Sequence, residues 1–526
     1  MTLPSKQRTA EEAAALVKSG DVVAVNSSSG LCCPDSVLAA LGARFDATGA
    51  PRDLTTIHPI AAGDFFGVKG VDHIAKPGCI ARIIGGSYPS GPTKAEPPLI
   101  WQRIVANEVK AYNVPSGIVF DMLREAAGRR PGVLTKVGMD TFVDPEQDGC
   151  AMNDAARAEP IVRRENFDGE DWLYFPSIAP NVAIIRATTG DQNGNLSFES
   201  EGAYLGAMEM ALAAHNSGGV VIAQVRRVAA NGTIRPHDVH VPGILVDALV
   251  EAPDMLQTTG TPYDPAISGE LIRPLDSFEI PEFGVSKVIA RRVAQELRAG
   301  WAVNIGFGVS ANVPRILLEE GRHGDVTWVI EQGAVGGVPL LDFKFGCASN
   351  AEAFVASPHQ FAYFQAGGFD ASLLSFLEID RHGSVNVSRL AATPHRTAGA
   401  GGFVDITTRA KKIVFSGTFN AGAKMRVEDG KLVIDAEGKI AKFVDKVDQV
   451  SFSGRRAMAE GRDITYVTER CVVKLTEAGL VVTEIAPGLD LRRDVLEQAA
   501  TPLGVADDLK PMDGALFQPE LMGLSL

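Results

Sequence analysis

The stretch Gly300-Trp301-Ala302-Val303-Asn304-Ile305-Gly306-Phe307-Gly308-Val309-Ser310-Ala311-Asn312-Val313-Pro314 reads as a strand, a glycine loop and the start of a helix. Ala302 to Ile305 is short, apolar and bounded by glycines, which is a strand signal. A helix precedes it, because Ile289, Val293 and Leu297 fall four apart on one face. The same layout occurs near the start of the chain. There Thr9-Ala10-Glu11-Glu12 is a capping-box opening. Gly20 ends that helix, Val22 to Val25 is the strand, a Gly/Ser loop follows, and a second helix opens near Pro34. Gly20 to Pro34 spans fourteen positions, as does Gly300 to Pro314, and Leu38 and Leu318 keep the offset. The matched spacing predicts a duplication with two similar open α/β halves. The acidic stretch with Pro262, Pro265, Pro274 and Pro281 reads as the linker between them. The expected domains are therefore 1–270 and 280–526.

The rest of the chain alternates in the same way. Val182 to Ile185 and Val220 to Val225 read as buried strands, with a helix over Tyr204 to His215 between them. Ile413-Val414-Phe415-Ser416 reads as a late strand. The 526 residues are 45% hydrophobic and 22% charged, the composition of a globular protein. A net charge of −14 and a pI near 5.2 argue against non-specific binding to nucleic acid or an anionic membrane. The six cysteines form no CxxC pair, so a zinc ribbon or redox motif is not expected. The N-terminus lacks a signal pattern, and no apolar run approaches the roughly eighteen residues of a membrane span. A reducing cytoplasm is the expected location.

Chemistry is best sought at Val326-Thr327-Trp328-Val329-Ile330-Glu331-Gln332-Gly333. This segment predicts a short buried strand ending on a carboxylate, with the glycine-rich Ala334 to Pro339 after it. Open α/β sheets bind ligands at such strand ends. A lone glutamate there is commonly a solvated turn residue, so other loops have to supply the argument. Gly306 to Asn312 follows a strand and precedes a helix, a context suited to a phosphate or thioester on exposed N–H groups. It lacks the third glycine of a dinucleotide fingerprint. Ala398-Gly399-Ala400-Gly401-Gly402-Phe403-Val404-Asp405 could present several N–H donors to one oxyanion. His237 and His240 have a metal-compatible spacing, but Pro236 and Pro242 bracket them and no HExxH exists, so no metal is expected. What remains is one carboxylate and converging glycine loops, a set suited to covalent catalysis on an activated acyl group.

These residues resemble the family I CoA-transferases, most closely the single-chain acetate and propionate type. The stretches that carry the likeness are Gly306 to Ser310, Val329-Ile330-Glu331-Gln332-Gly333, Gly367 to Ser388, Gly401 to Ile406, Val133 to Pro145 and Tyr466 to Arg470. The resemblance implies that Glu331 is the covalent nucleophile and that Gly402 contributes an oxyanion donor. It implies that Gly306, Phe307, Gly308, Val309 and Ser310, with Gly401 and Gly402, cradle CoA as a co-substrate. No permanently bound cofactor is expected. It also implies that the N-terminal half shapes the acyl pocket and that the protein is a homodimer or homotetramer. In this family a Gln often follows a Pro just before a Gly in the N-terminal half and helps hold the substrate. Here Asn113-Val114-Pro115-Ser116-Gly117 puts Ser116 in that place, with one hydroxyl instead of an amide. An acyl-CoA hydrolase and a non-catalytic binding protein on the same fold are the alternatives.

Overall fold

The computed structural model describes residues 5–64, 67–90 and 96–526. Two parallel sheets dominate it. In the N-terminal half the strand order is Gln7–Arg8, Ala248–Glu251, Val220–Ala229, Val182–Asp191, Val22–Val25, Leu54–His58, Ile80–Gly85 and Lys110–Asn113. In the C-terminal half Asp463–Val467, Lys412–Ser416, Ala371–Ser375, Ala302–Ile305 and Thr327–Val329 follow one another, again all parallel. Around Val22–Val25 and Ala302–Ile305 the two orders correspond over five parallel strands, Ala248–Glu251 to Leu54–His58 in one and Asp463–Val467 to Thr327–Val329 in the other, as the matched spacing predicts. Gly20 and Gly300 both adopt positive φ, +82° and +83°, where a side chain would be strained.

The elements follow from their residues. All ten residues of Val182–Asp191 are buried, as expected for a parallel strand covered on both faces. Thr9 caps its helix through the reciprocal bonds of a capping box with Glu12. The expected helix at 204–215 runs Ala207–Asn216, and the late strand runs Lys412–Ser416. The C-terminal sheet continues beyond its parallel core into the hairpin Cys471–Thr476 and Gly479–Ile485, then Gly504–Pro511. The proline-rich connection carries little regular structure. It is held by Arg273, whose N–H donates to Asn350 Oδ1 at 2.7 Å and whose carbonyl accepts Asn350 Nδ2 at 2.8 Å.

Three apolar cores result. One lies on the outer face of each sheet, and the third joins the halves. That shared core brings Ile118 and Phe120 of the first half together with Phe361, Phe403 and Phe415 of the second. The halves thus meet through helices, with Ser116–Ala127 of the first packed against Ser357–Gln365 and Phe403–Arg409 of the second. Among the described residues no helix is long and apolar enough to cross a membrane.

Candidate active site

The strand leading to the carboxylate is shorter than the sequence predicts. It stops at Val329, and Glu331 lies in the tight turn that follows. The turn reverses the chain into Ala334–Val335, which pairs antiparallel with the same strand. Gly333 N–H closes it by donating to Ile330 O at 2.9 Å. Gly333 has φ +118°, and a Cβ there would stand 1.9 Å from Val355 O, so only glycine fits. Glu331 therefore projects sideways from a stiff corner instead of extending a strand.

Three neighbours shape its surroundings. Gln332 Nε2 donates to Glu331 Oε1 at 3.1 Å and to Ser28 Oγ of the N-terminal half at 3.1 Å. The backbone of Gly402 lies against the Glu331 carboxylate, and its N–H pulls the carboxyl down. A Cβ on Gly402 would stand 2.3 Å from Glu331 Oε2 and 2.6 Å from the Phe361 ring. Burial pushes the Glu331 carboxyl up to about 7, against the pull of the Gly402 N–H and the Gln332 amide. A carboxylate with this profile is partly ionised at neutral pH and poorly solvated, which makes it reactive toward an acyl carbon.

The glycine loop comes from the C-terminal half but rests on the N-terminal one. Tyr88 N–H donates to Ala398 O, Gly401 N–H donates to Gly86 O, and Ser116 N–H donates to Gly401 O, at 2.7, 2.7 and 2.9 Å. Ala400 N–H donates to the Asn113 side chain at 2.9 Å. Asn113 Nδ2 in turn reaches Gly86 O at 2.5 Å. The position of the Gly401-Gly402 turn in one half is thus set by the other.

The expected residues do not all meet. Glu331, Gly401 and Gly402 come together. Ser116 opens the helix Ser116–Ala127 and touches the loop through its backbone. Its hydroxyl is buried and has no hydrogen-bond partner among the described residues. Gly306, Phe307 and Gly308 follow the strand next to Thr327–Val329, so they open on the same sheet edge as Glu331. Gly308 has φ +102°, and Ser375 Oγ donates to Phe307 O at 2.5 Å. The Phe307 side chain is 65% exposed, and Val309 and Ser310 begin the short turn Val309–Asn312. His237 lies in the turn Pro236–Asp238, and His240 stacks on Tyr204 with ring centroids 4.1 Å apart. The bracketing prolines leave only this single turn across the pair.

Sequence reasoning missed the helix Ser357–Gln365. Ser357 Oγ donates to Gln332 O at 3.1 Å, Phe361 lies against Gly402, and Gln365 Nε2 donates to Asp405 at 3.0 Å. These three residues are four apart and form one stripe of the helix facing the site. That spacing was present in the sequence.

Comparison with known proteins meets this geometry. The model of the coenzyme A transferase family matches residues 7–252. The caffeate CoA-transferase of Acetobacterium woodii is 38% identical over 525 residues, covering 98% of each chain. The chain belongs to the coenzyme A transferase family. This CoA-transferase is also 36% identical to the acetate CoA-transferase YdiF of Escherichia coli strain K12, over 93% of its own length and 91% of YdiF. The acyl-CoA transferase YdiF from Escherichia coli O157:H7, solved as a thioester complex with CoA, superposes on the CoA-transferase with a TM-score of 0.91 at 34% identity. That match covers 100% of this chain and 99% of the other.

Proposed function

We propose that the enzyme moves CoA from a short-chain acyl-CoA to an acceptor carboxylic acid through a γ-glutamyl-CoA thioester on Glu331. The observation that carries this is the buried Glu331 carboxylate packed against the Gly402 backbone in a poorly solvated corner. The carboxylate attacks the donor carbonyl, forming a mixed anhydride and expelling CoA thiolate. The thiolate attacks the Glu331 γ-carbonyl, forming the thioester and releasing the donor acid as carboxylate. An acceptor carboxylate then attacks the thioester, giving a new anhydride and CoA thiolate. The thiolate attacks the acyl carbonyl, and the new acyl-CoA leaves with Glu331 restored as carboxylate. Each tetrahedral intermediate bears an oxyanion that the Gly402 amide can meet. Thioester energy is conserved, so the cycle needs no ATP.

Residues 280–526 carry Glu331 and cradle CoA in this scheme, and residues 1–270 form the acyl pocket. The acetate and caffeate transferases among the relatives bracket the acids to be tried. Incubation with acetyl-CoA and no acceptor, followed by peptide mass analysis, should find CoA on the peptide containing Glu331, removable by hydroxylamine. Full transfer activity in Glu331→Gln sinks the reading. A panel of carboxylates from acetate to caffeate then ranks the acceptors. Free CoA released at equal rates with and without carboxylate would instead indicate a hydrolase. Light scattering tests the homodimer or homotetramer expected of such an enzyme.

A further inference from the structure

A second buried carboxylate lies behind the Glu331–Gly402 contact, and the transfer steps leave it without a task. Asp405 is fully buried in the first turn of the helix Phe403–Arg409, directly after Gly402. Its Oδ2 accepts the Gly117 N–H at 2.9 Å, and its Oδ1 accepts Gln365 Nε2 at 3.0 Å. Gly117 belongs to the N-terminal half's helix Ser116–Ala127, and Gln365 ends the helix behind Glu331. The same Gln365 amide reaches Asp121 at 3.2 Å. Three helices from two halves therefore meet on one side chain. The fit is close, since a Cβ on Gly117 would stand 2.5 Å from Asp405 Oδ1.

The helix that Asp405 secures is weak on its own. It has seven residues, and its cap, Gly402, offers no side-chain hydrogen bond. Such short helices fray unless tertiary contacts hold them. Burying a carboxyl group is costly, and apolar residues would fill the same space at lower cost. Burial pushes the Asp405 carboxyl up to about 8, opposed by Gln365 and Gly117, while the charges of Asp121 and Glu331 add to the rise. Asp405 thus feels Glu331, although no hydrogen bond joins them.

We propose that Asp405 is a positioning residue for CoA transfer. By tying the first turn of its helix to Gly117 and Gln365, it holds the Gly402 backbone against the Glu331 carboxylate. The inference rests on the reading of Glu331 as nucleophile. A misplacement of about 1 Å in such a donor costs on the order of 10²-fold in rate.

The test uses full-length wild type, Asp405→Ala, Asp405→Asn and Gln365→Ala, with acetyl-CoA as donor and propionate as acceptor. The readouts are the single-turnover rate of CoA attachment to Glu331, kcat, KM for acetyl-CoA, and the folded fraction by thermal melting. In Asp405→Ala the attachment rate and kcat should fall on the order of 10²-fold while KM stays within about threefold. Asp405→Asn keeps an oxygen for the Gly117 N–H and should recover to within about tenfold of wild type. Gln365→Ala removes one tether only and decides the matter if Asp405→Ala does not fold. It should slow attachment about tenfold in folded protein. Absence of a CoA adduct in wild type overturns the Glu331 reading and this inference with it. An adduct in wild type that forms as fast in folded Asp405→Ala or Gln365→Ala overturns the inference alone. So does a loss that vanishes once rates are expressed per folded enzyme.

Discussion

In the proposed transfer the attacking carboxylate must be ionised yet poorly hydrated, and the surroundings of Glu331 pull between these demands. Its surroundings raise its carboxyl from 4.5 to about 7. Two consequences oppose each other with pH. The transfer rate, read as kcat/KM, should rise as pH passes through about 7 and the nucleophile ionises. Stability should move the other way. The folded form prefers the proton more than the unfolded chain does, so this contribution is complete below about 4.5 and lost as pH climbs to about 7. Glu331→Gln should abolish transfer, lessen the fall of melting temperature between pH 5 and 8 while the slope due to Asp405 remains, and stabilise the protein at pH 8 by on the order of 2 kcal/mol. A melting profile unchanged from wild type would contradict this. Gly402→Ala tests the donor side. Its φ of −86° tolerates alanine, and the added methyl would press first on Glu331 and Phe361. The variant should fold and lose on the order of 10²-fold in kcat, measured by CoA transfer.

The sequence revealed strands and glycine loops better than the helix behind them. Gly20 and Gly300 were readable as turns because their positive φ favours glycine, although the helices end earlier than expected, at Ala14 and Ala294, and the glycines lead into the strands instead. Glu331 was readable from the glycines around it, although its strand ends two residues early, where the hairpin to Ala334 takes over. The hairpin Cys471–Ile485 was not read as such, since its Glu477-Ala478 turn lacks the Asn-Gly signature of tight hairpins. The helix Ser357–Gln365 went unread because its functional stripe mixes Ser, Phe and Gln, and only an apolar stripe marks a helix face by hydropathy. Nor could spacing reveal that Asn113 meets Ala400 or that Gln332 meets Ser28, pairs separated by hundreds of residues. At this scale Phe361 is the telling side chain. It is 1% exposed, with Phe120 of the other half at 5.7 Å between centroids. Phe361→Ala should cost about 3–5 kcal/mol of stability by denaturant melting. It should also lower kcat in the fraction that stays folded, because the Gly402 turn loses its wall.

For the whole molecule, the two halves form one catalytic unit through contacts that do not depend on the connecting peptide. Besides the loop anchors, Phe142 N–H donates to Val450 O at 2.8 Å and Gln449 Nε2 donates to Asp148 at 2.9 Å. Arg456 pairs with Asp140 at 3.2 Å, and the shared apolar core lies beneath. A site-specific protease sequence inserted after the exposed Glu282 should therefore be cleavable without separating the halves. The nicked protein should elute as one species in gel filtration and keep its transfer activity. Separation on cleavage would show that the linker, and not the interface, holds the site together.

The anchoring of the glycine loop also bears on how such an enzyme can change its diet of acids. Three of its fastenings to the N-terminal half join main chain to main chain, at Gly86, Tyr88 and Ser116. Backbone fastenings are indifferent to side-chain identity, so side chains around them can be exchanged without unseating the Gly401-Gly402 turn. In the proposed scheme, an exchange at Ser116 would then alter the room offered to the acid while the main-chain anchors stay in place.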